Sequence, residues 1–212
     1  AAARDDAAPE AIASAEQALR LARGQRSMVR EVRRVFERAR AWERARDLLR
    51  EEIEAATRAE APALLRRLAR IAWDELRDAA LACDALEAVE ASEPLRVDDR
   101  ERFAAALAEL GRHSESLAQR EKALSEVGDL ATAASWLALA RDTMQLLDDP
   151  GRTREACKRA LAREPHLTEA LELRAGVHAR LCEPAREVED VLELAELEAS
   201  PVAAAAWFTR GA

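Results

Sequence analysis

The sequence predicts an all-α fold built from helical hairpins stacked along one axis. Three observations carry that expectation: a composition that suits helices, prolines that fall at regular breaks, and side-chain bulk that recurs about every 35 residues. Of 212 residues, 49% are hydrophobic, 35% charged and only 3% aromatic, with no Tyr and no Asn. An all-β domain needs aromatic and β-branched strands closed by Gly and Asn turns, and those residues are missing. Charged and apolar residues are mixed too evenly for disorder. No apolar run approaches the roughly 18 residues of a membrane helix. The formal net charge of −8 lacks the basic footprint of a general nucleic-acid binder.

Proline delimits the elements, because inside a helix it removes a hydrogen bond and clashes with the preceding turn. The breakers are Pro9, Pro62, Pro94, Pro150, Pro165, Pro184 and Pro201, helped by Gly24, Gly111, Gly128 and Gly151. Between them the apolar residues keep helical spacing. In order, the pattern predicts helices at 9–23, 27–40, 42–58, 61–76, 78–92, 97–110, 112–127, 131–147, 151–164, 167–181, 184–199 and from 201 onward. Ser200-Pro201 reads as an N-cap followed by proline in the first turn. Links of a few residues make consecutive helices antiparallel neighbours. Residues 1–8 are expected to be a flexible segment, and 9–212 a single solenoid of about five helix pairs with half-pairs at both ends.

The helices repeat in pairs. A small residue recurs in the first helix of each pair at Ala69, Ala104, Ala140, Ala175 and Gly211, in steps of 35 or 36. A second register runs through Ala18, Glu52, Ala88, Ala123, Ala160 and Ala195, in steps of 34 to 37. Trp136, Leu171 and Trp207 each precede a small residue by four. Where two helices of a pair cross, a side chain larger than Ala pushes the backbones apart. One pair cannot bury both of its faces alone, so several stack.

Several segments resemble the tetratricopeptide repeat. Ala206-Trp207-Phe208-Thr209-Arg210-Gly211 is similar to the start of such a repeat, and Glu10-Ala11-Ile12 through Ala18-Leu19 to its second helix. Ala41-Trp42-Glu43-Arg44-Ala45 resembles the turn into a second helix, and Glu93-Pro94 and Glu164-Pro165 the acidic-Pro ending of a repeat. Glu52 and Arg100 depart from the pattern, standing where a small and a large apolar residue belong. The resemblance implies a right-handed α-α superhelix. Because Trp207 and Phe208 make poor caps for a solenoid end, the chain reads as a window of a longer array.

Nothing in the sequence announces chemistry, and no cofactor or metal is expected. His178 and Cys182 stand four apart on one helix, a metal-ligand spacing, with Cys157 on the preceding helix. They read more simply as packing and helix-end residues. Asp98-Asp99 and Asp148-Asp149 lie at helix junctions, where acidic residues cap helices. Phosphate-binding glycine loops, nucleophile elbows and HExxH motifs are absent. An odd set of three cysteines without a CxxC pair points to a reducing, cytoplasmic setting, and the Ala- and Arg-rich composition to a GC-rich bacterial genome.

The resemblance implies a protein-protein interaction scaffold whose concave face is lined by the first helix of each pair. Carried over position by position, that groove holds Arg33, Phe36, Arg66, Arg70, Trp73, Leu137, Arg141 and Met144, with Glu101, Glu172 and Arg180 beside them. Arginines next to aromatic side chains suit an acidic peptide or protein segment with apolar anchors. A regulatory or substrate-recruiting arm of a larger enzyme or transcriptional regulator is the alternative. Residues 26–50 hold nine Arg against four acids, and 183–200 one Arg against seven. That asymmetry allows self-association through the charged ends.

Overall fold

The computed structural model describes residues 7–21 and 25–197. The twelfth expected helix, and with it Trp207 and Gly211, lies outside the described residues. Among the described residues there are eleven α-helices and no strand. They divide into two compact units, the first ending at Leu110 and the second beginning at Gly111.

The first unit contains α1 (Ala7–Leu21), α2 (Arg26–Arg38), α3 (Trp42–Glu54), α4 (Ala61–Arg70), α5 (Ala79–Glu90) and α6 (Val97–Glu109). Each of these helices packs on the next. Ala15, Val29, Val32, Phe36, Ala45 and Leu48 join α1, α2 and α3 in one apolar cluster. A larger cluster runs from Leu49 through Leu68, Ile71 and Leu86 to Phe103 and Leu107. Between α4 and α5 the chain continues as a π-helical turn, Ile71–Leu76. Such a turn holds one residue more than an α turn. In α5 Val89 is buried where the sequence pointed to the exposed Ala88.

The second unit contains α7 (His113–Val127), α8 (Ala133–Leu147), α9 (Pro150–Leu161), α10 (Thr168–Arg180) and α11 (Pro184–Leu197). Its core gathers Leu117, Trp136, Leu137, Ala140, Cys157, Ala160, Leu171 and Leu194. Trp136, four residues before Ala140, carries the guanidinium groups of Arg159 and Arg163 over its ring, at 4.8 and 5.5 Å from the centroid. Arg163 also donates to the carbonyls of Ala131 (2.6 Å) and Gly128 (2.9 Å), tying α9 to the turn before α8.

Among the described residues, each turn that follows a first helix uses a left-handed residue. Arg40, Arg77, Gly111, Asp148 and Cys182 all follow the ends of first helices with φ between 52° and 73°. In three of them the next residue's N–H donates back to the preceding helical segment, from Ala41 to Phe36 (2.8 Å), from Asp78 to Ala72 (2.9 Å) and from Glu183 to His178 (3.0 Å). Side-chain caps start the next helices: Asp78 accepts from Leu81, Thr132 from Ser135 and Asp149 from Arg152.

The crossing positions explain the departure at Glu52. Ala69, Ala104, Ala140 and Ala175 are all buried, as are Ala123, Ala160 and Ala195. Thirty-six positions before Ala69 stands Arg33, so the α2/α3 hairpin carries Arg and Glu at the two positions held by small residues elsewhere. Arg33 is 6% exposed and Glu52 8%, and Arg33 Nε donates to Glu52 Oε1 at 2.6 Å. Arg33 Nη1 also donates to Glu37 at 2.6 Å, and Arg30 lies 3.6 Å from the second Glu52 oxygen. Burial disfavours the Arg33 charge, yet the hydrogen bonds it donates to Glu52 and Glu37 outweigh it and raise its pKa. Arg100 follows the same logic, buried and paired with Glu90 at 3.1 Å. In a double-mutant cycle, Arg33→Ala and Glu52→Ala should each destabilise the chain by about 3 kcal/mol, since each strands a buried charge. The double variant should lose less than their sum, with a coupling of about 1–3 kcal/mol in urea denaturation; zero coupling would reject the exchange.

Candidate functional site

The first helices are joined side by side by arginine–carboxylate pairs. In the first unit Arg67 of α4 binds Glu37 of α2, and Arg66 of α4 donates to Asp99 of α6 at 2.8 Å. Arg66 also pairs with Glu93. In the second unit Arg141 of α8 pairs with Glu169 of α10, and Arg180 of α10 with Asp148 at 2.6 Å. Second helices are linked in the same way, by Arg44–Glu16 (2.9 Å) and Arg152–Glu121 (3.5 Å). The exposed pairs among these, such as Arg141–Glu169 and Arg180–Asp148, contribute little each, about 0–1 kcal/mol, whereas Glu37 and Asp99 are largely buried. Their larger effect is on availability, because a guanidinium held by its own chain is not free for a ligand.

The expected groove residues therefore divide into three groups. Phe36 (2% exposed) and Leu137 (4%) belong to the apolar cores, and Arg33 is spent on the buried exchange with Glu52. Arg66 and Arg141 face outward but serve the lateral pairs. Arg70 is exposed, with no ion pair among the described residues, and Trp73 is half-buried against the larger core cluster of its unit. Met144 is half-buried, its sulfur 3.8 Å from the Thr153 hydroxyl and 3.5 Å from Arg180. Glu101 and Glu172 are exposed.

Sequence reasoning missed the neighbourhood of Arg70. The π turn and the start of α3 enclose a cavity of about 180 Å³ lined by Trp42, Arg70, Ile71, Asp74 and Glu75. Trp42 was legible only as a turn residue, and nothing in the local pattern marks a π turn. Such turns recur at functional positions because they re-aim side chains out of helical register.

The histidine–cysteine spacing does not form a metal site among the described residues. His178 Nδ1 lies 2.8 Å from Glu183 Oε2, and Cys182 is exposed at the left-handed turn. Cys157 is fully buried, and its desolvation pushes the thiol up to about 12. No helix among the described residues is long and apolar enough to cross a membrane.

Comparison with known proteins gives a likeness of fold. The chain matches no protein-family model, and no curated protein matches it in sequence. Among solved structures it is similar to a MamA protein at 10% identity and a TM-score of 0.50, over 81% of this chain and 90% of that one. A MamA from Desulfovibrio magneticus RS-1 aligns at 17% identity and a TM-score of 0.48, covering 82% and 97% of the two chains. YrrB, described as a TPR protein with an unusual peptide-binding site, aligns at 12% identity and a TM-score of 0.48, over 91% and 96%. The fold is a tetratricopeptide-like helical repeat.

Two measurements test this account of the side chains. Alkylation of the native chain should modify Cys182 rapidly and leave Cys83 and Cys157 protected, since the thiolate is the reactive form and both are buried; equal rates would contradict the packing. Burial pushes the Glu37 carboxyl up, but hydrogen bonds from Arg67 and Arg33 outweigh it and hold it below the ordinary 4.5. Its stabilisation is then complete above that value and lost as pH falls through the lower folded value. Glu37→Gln should lower the melting temperature at neutral pH, with the gap from the parent closing in acid; a constant gap would exclude the linkage.

Proposed function

We propose that the chain is a non-catalytic protein-interaction scaffold that takes up a peptide or protein segment on the face formed by the first helices of its hairpins. The observation that carries this reading is Arg70, an exposed arginine without an ion pair among the described residues, at the mouth of the cavity formed with Trp42 and Ile71. Neighbouring arginines on this face are held by the chain's own carboxylates, so Arg70 is the guanidinium left to a partner. A carboxylate of the bound segment would take Arg70 in a bidentate contact. An apolar side chain beside it would pack against Trp42 and Ile71, with Trp73 and Arg66 extending the surface. Asp74 and Glu75 limit how much negative charge the segment can bring, so an acidic residue flanked by an apolar anchor fits better than a polyacidic run. In the second unit Met144 offers the corresponding apolar contact, beside Arg141, which a ligand would share with Glu169.

A selection of short peptides displayed on phage against the chain tests this. Enriched sequences should pair an acidic residue with a nearby Leu, Phe or Met. Arg70→Glu should weaken their binding by about tenfold or more with helicity unchanged by circular dichroism, and Trp42→Ala should act in the same direction. Peptides that bind both variants as tightly as the parent would overturn the assignment.

A further inference from the structure

A separate site lies in the second unit, on the side of its second helices. Helices α9 and α11 flank a cleft of about 410 Å³ with the C-terminal half of α10 among its walls. Arg154 and Lys158 line it from α9, Arg174 and His178 from α10, and Arg186 and Asp190 from α11. His178 is 5% exposed and Asp190 3%, an unusual depth for polar side chains lining an open cleft.

The charges in this cleft are unevenly spent. Asp190 is taken by Arg174, whose Nε and Nη2 both donate to its carboxylate, the shortest contact being 2.5 Å. His178 Nε2 stands 3.7 Å from the same carboxylate. Glu155 pairs with Arg159 at 3.5 Å. Beside the lining residues stands Glu183, between donors from three helices: Arg154 Nη1 at 3.0 and 3.1 Å, His178 Nδ1 at 2.8 Å and Arg186 Nη1 at 3.2 Å. A carboxylate of the chain itself thus sits among donors on three sides, two of them guanidinium groups. Lys158 has no ion pair among the described residues, and Arg154 and Arg186 each engage Glu183 through one guanidinium nitrogen. The spare capacity is therefore mainly donor capacity. Glu189 is the acid of the cleft that has no partner among the described residues, and it balances one cation only.

We propose that this cleft binds a carboxylate-bearing segment of a partner protein, with an acidic side chain held by Lys158, Arg154 and Arg186 in the setting that Glu183 occupies when the site is free. Glu183 is an internal competitor, and the partner's carboxylate replaces it. The site is independent of Arg70 and of the first-helix face, so either proposal can fail without the other.

A fluorescein-labelled peptide of alternating Glu and Leu, followed by fluorescence anisotropy, is the probe. Lys158→Glu combined with Arg186→Glu, both exposed positions, should weaken it about tenfold or more with circular dichroism unchanged. Arg70→Glu, which disables the first-helix face, should leave this peptide's affinity for the cleft unaltered. Glu183→Gln should tighten binding severalfold. Glu196→Gln, the same charge change on α11 away from the cleft, should not. Equal effects of the two Gln variants would reduce the result to general electrostatics and overturn the site. So would unchanged affinity in the double Glu variant. Displacement by inorganic phosphate at concentrations where chloride has no effect would reassign the cleft to a free anion. Concentration-dependent dimerisation abolished by the double variant would reassign it to a second copy of the chain, and either outcome overturns the peptide proposal.

Discussion

How closely two antiparallel helices can approach is the constraint on which the rest of this structure depends. At the hairpin crossings most of the side chains are Ala, and these small residues are buried. Ala contributes almost no area of its own; its role is to let bulkier neighbours such as Trp136 and Leu171 reach across to the next hairpin. The α2/α3 hairpin meets the same constraint by a different chemistry. Arg33 and Glu52 occupy the crossing with far larger side chains, and they fit because their charged ends satisfy one another at 2.6 Å. An unpaired charge at that depth would be severely destabilising, which is why the two departures have to occur together.

Much of the fold was legible in the sequence. Proline, helical spacing and the bulk pattern placed eleven helices within a few residues of their observed bounds. What escaped was the geometry of the reversals. Glycine announces a left-handed turn at Gly111, but Arg40, Arg77, Asp148 and Cys182 adopt the same backbone with nothing in their side chains to announce it. The π turn escaped for a related reason: it is an extra residue inside a run that keeps a helical composition.

The candidate site was less legible, again for a physical reason. Helical position says that Arg66 and Arg141 face outward, and they do. It does not say that a carboxylate from the neighbouring hairpin will stand opposite each of them. Those partners lie about one repeat away in the chain, so the pairing appears only once the hairpins are set side by side. The same holds for His178. Its spacing from Cys182 suggested a ligand pair, whereas the turn that follows α10 brings Glu183 to the ring instead. In an arginine-rich helical repeat, binding capacity is what remains after the lateral pairs are made, and Arg70 and Lys158 are the cations in that position within their cavities.

The left-handed residues after the first helices have one more consequence. Because the reversal is specified by backbone torsion, no one side chain is required at that point: the five described turns carry Arg, Arg, Gly, Asp and Cys there, and only the Asp is recruited to a lateral pair. The turn can thus exchange its side chain while the path of the backbone stays as it is.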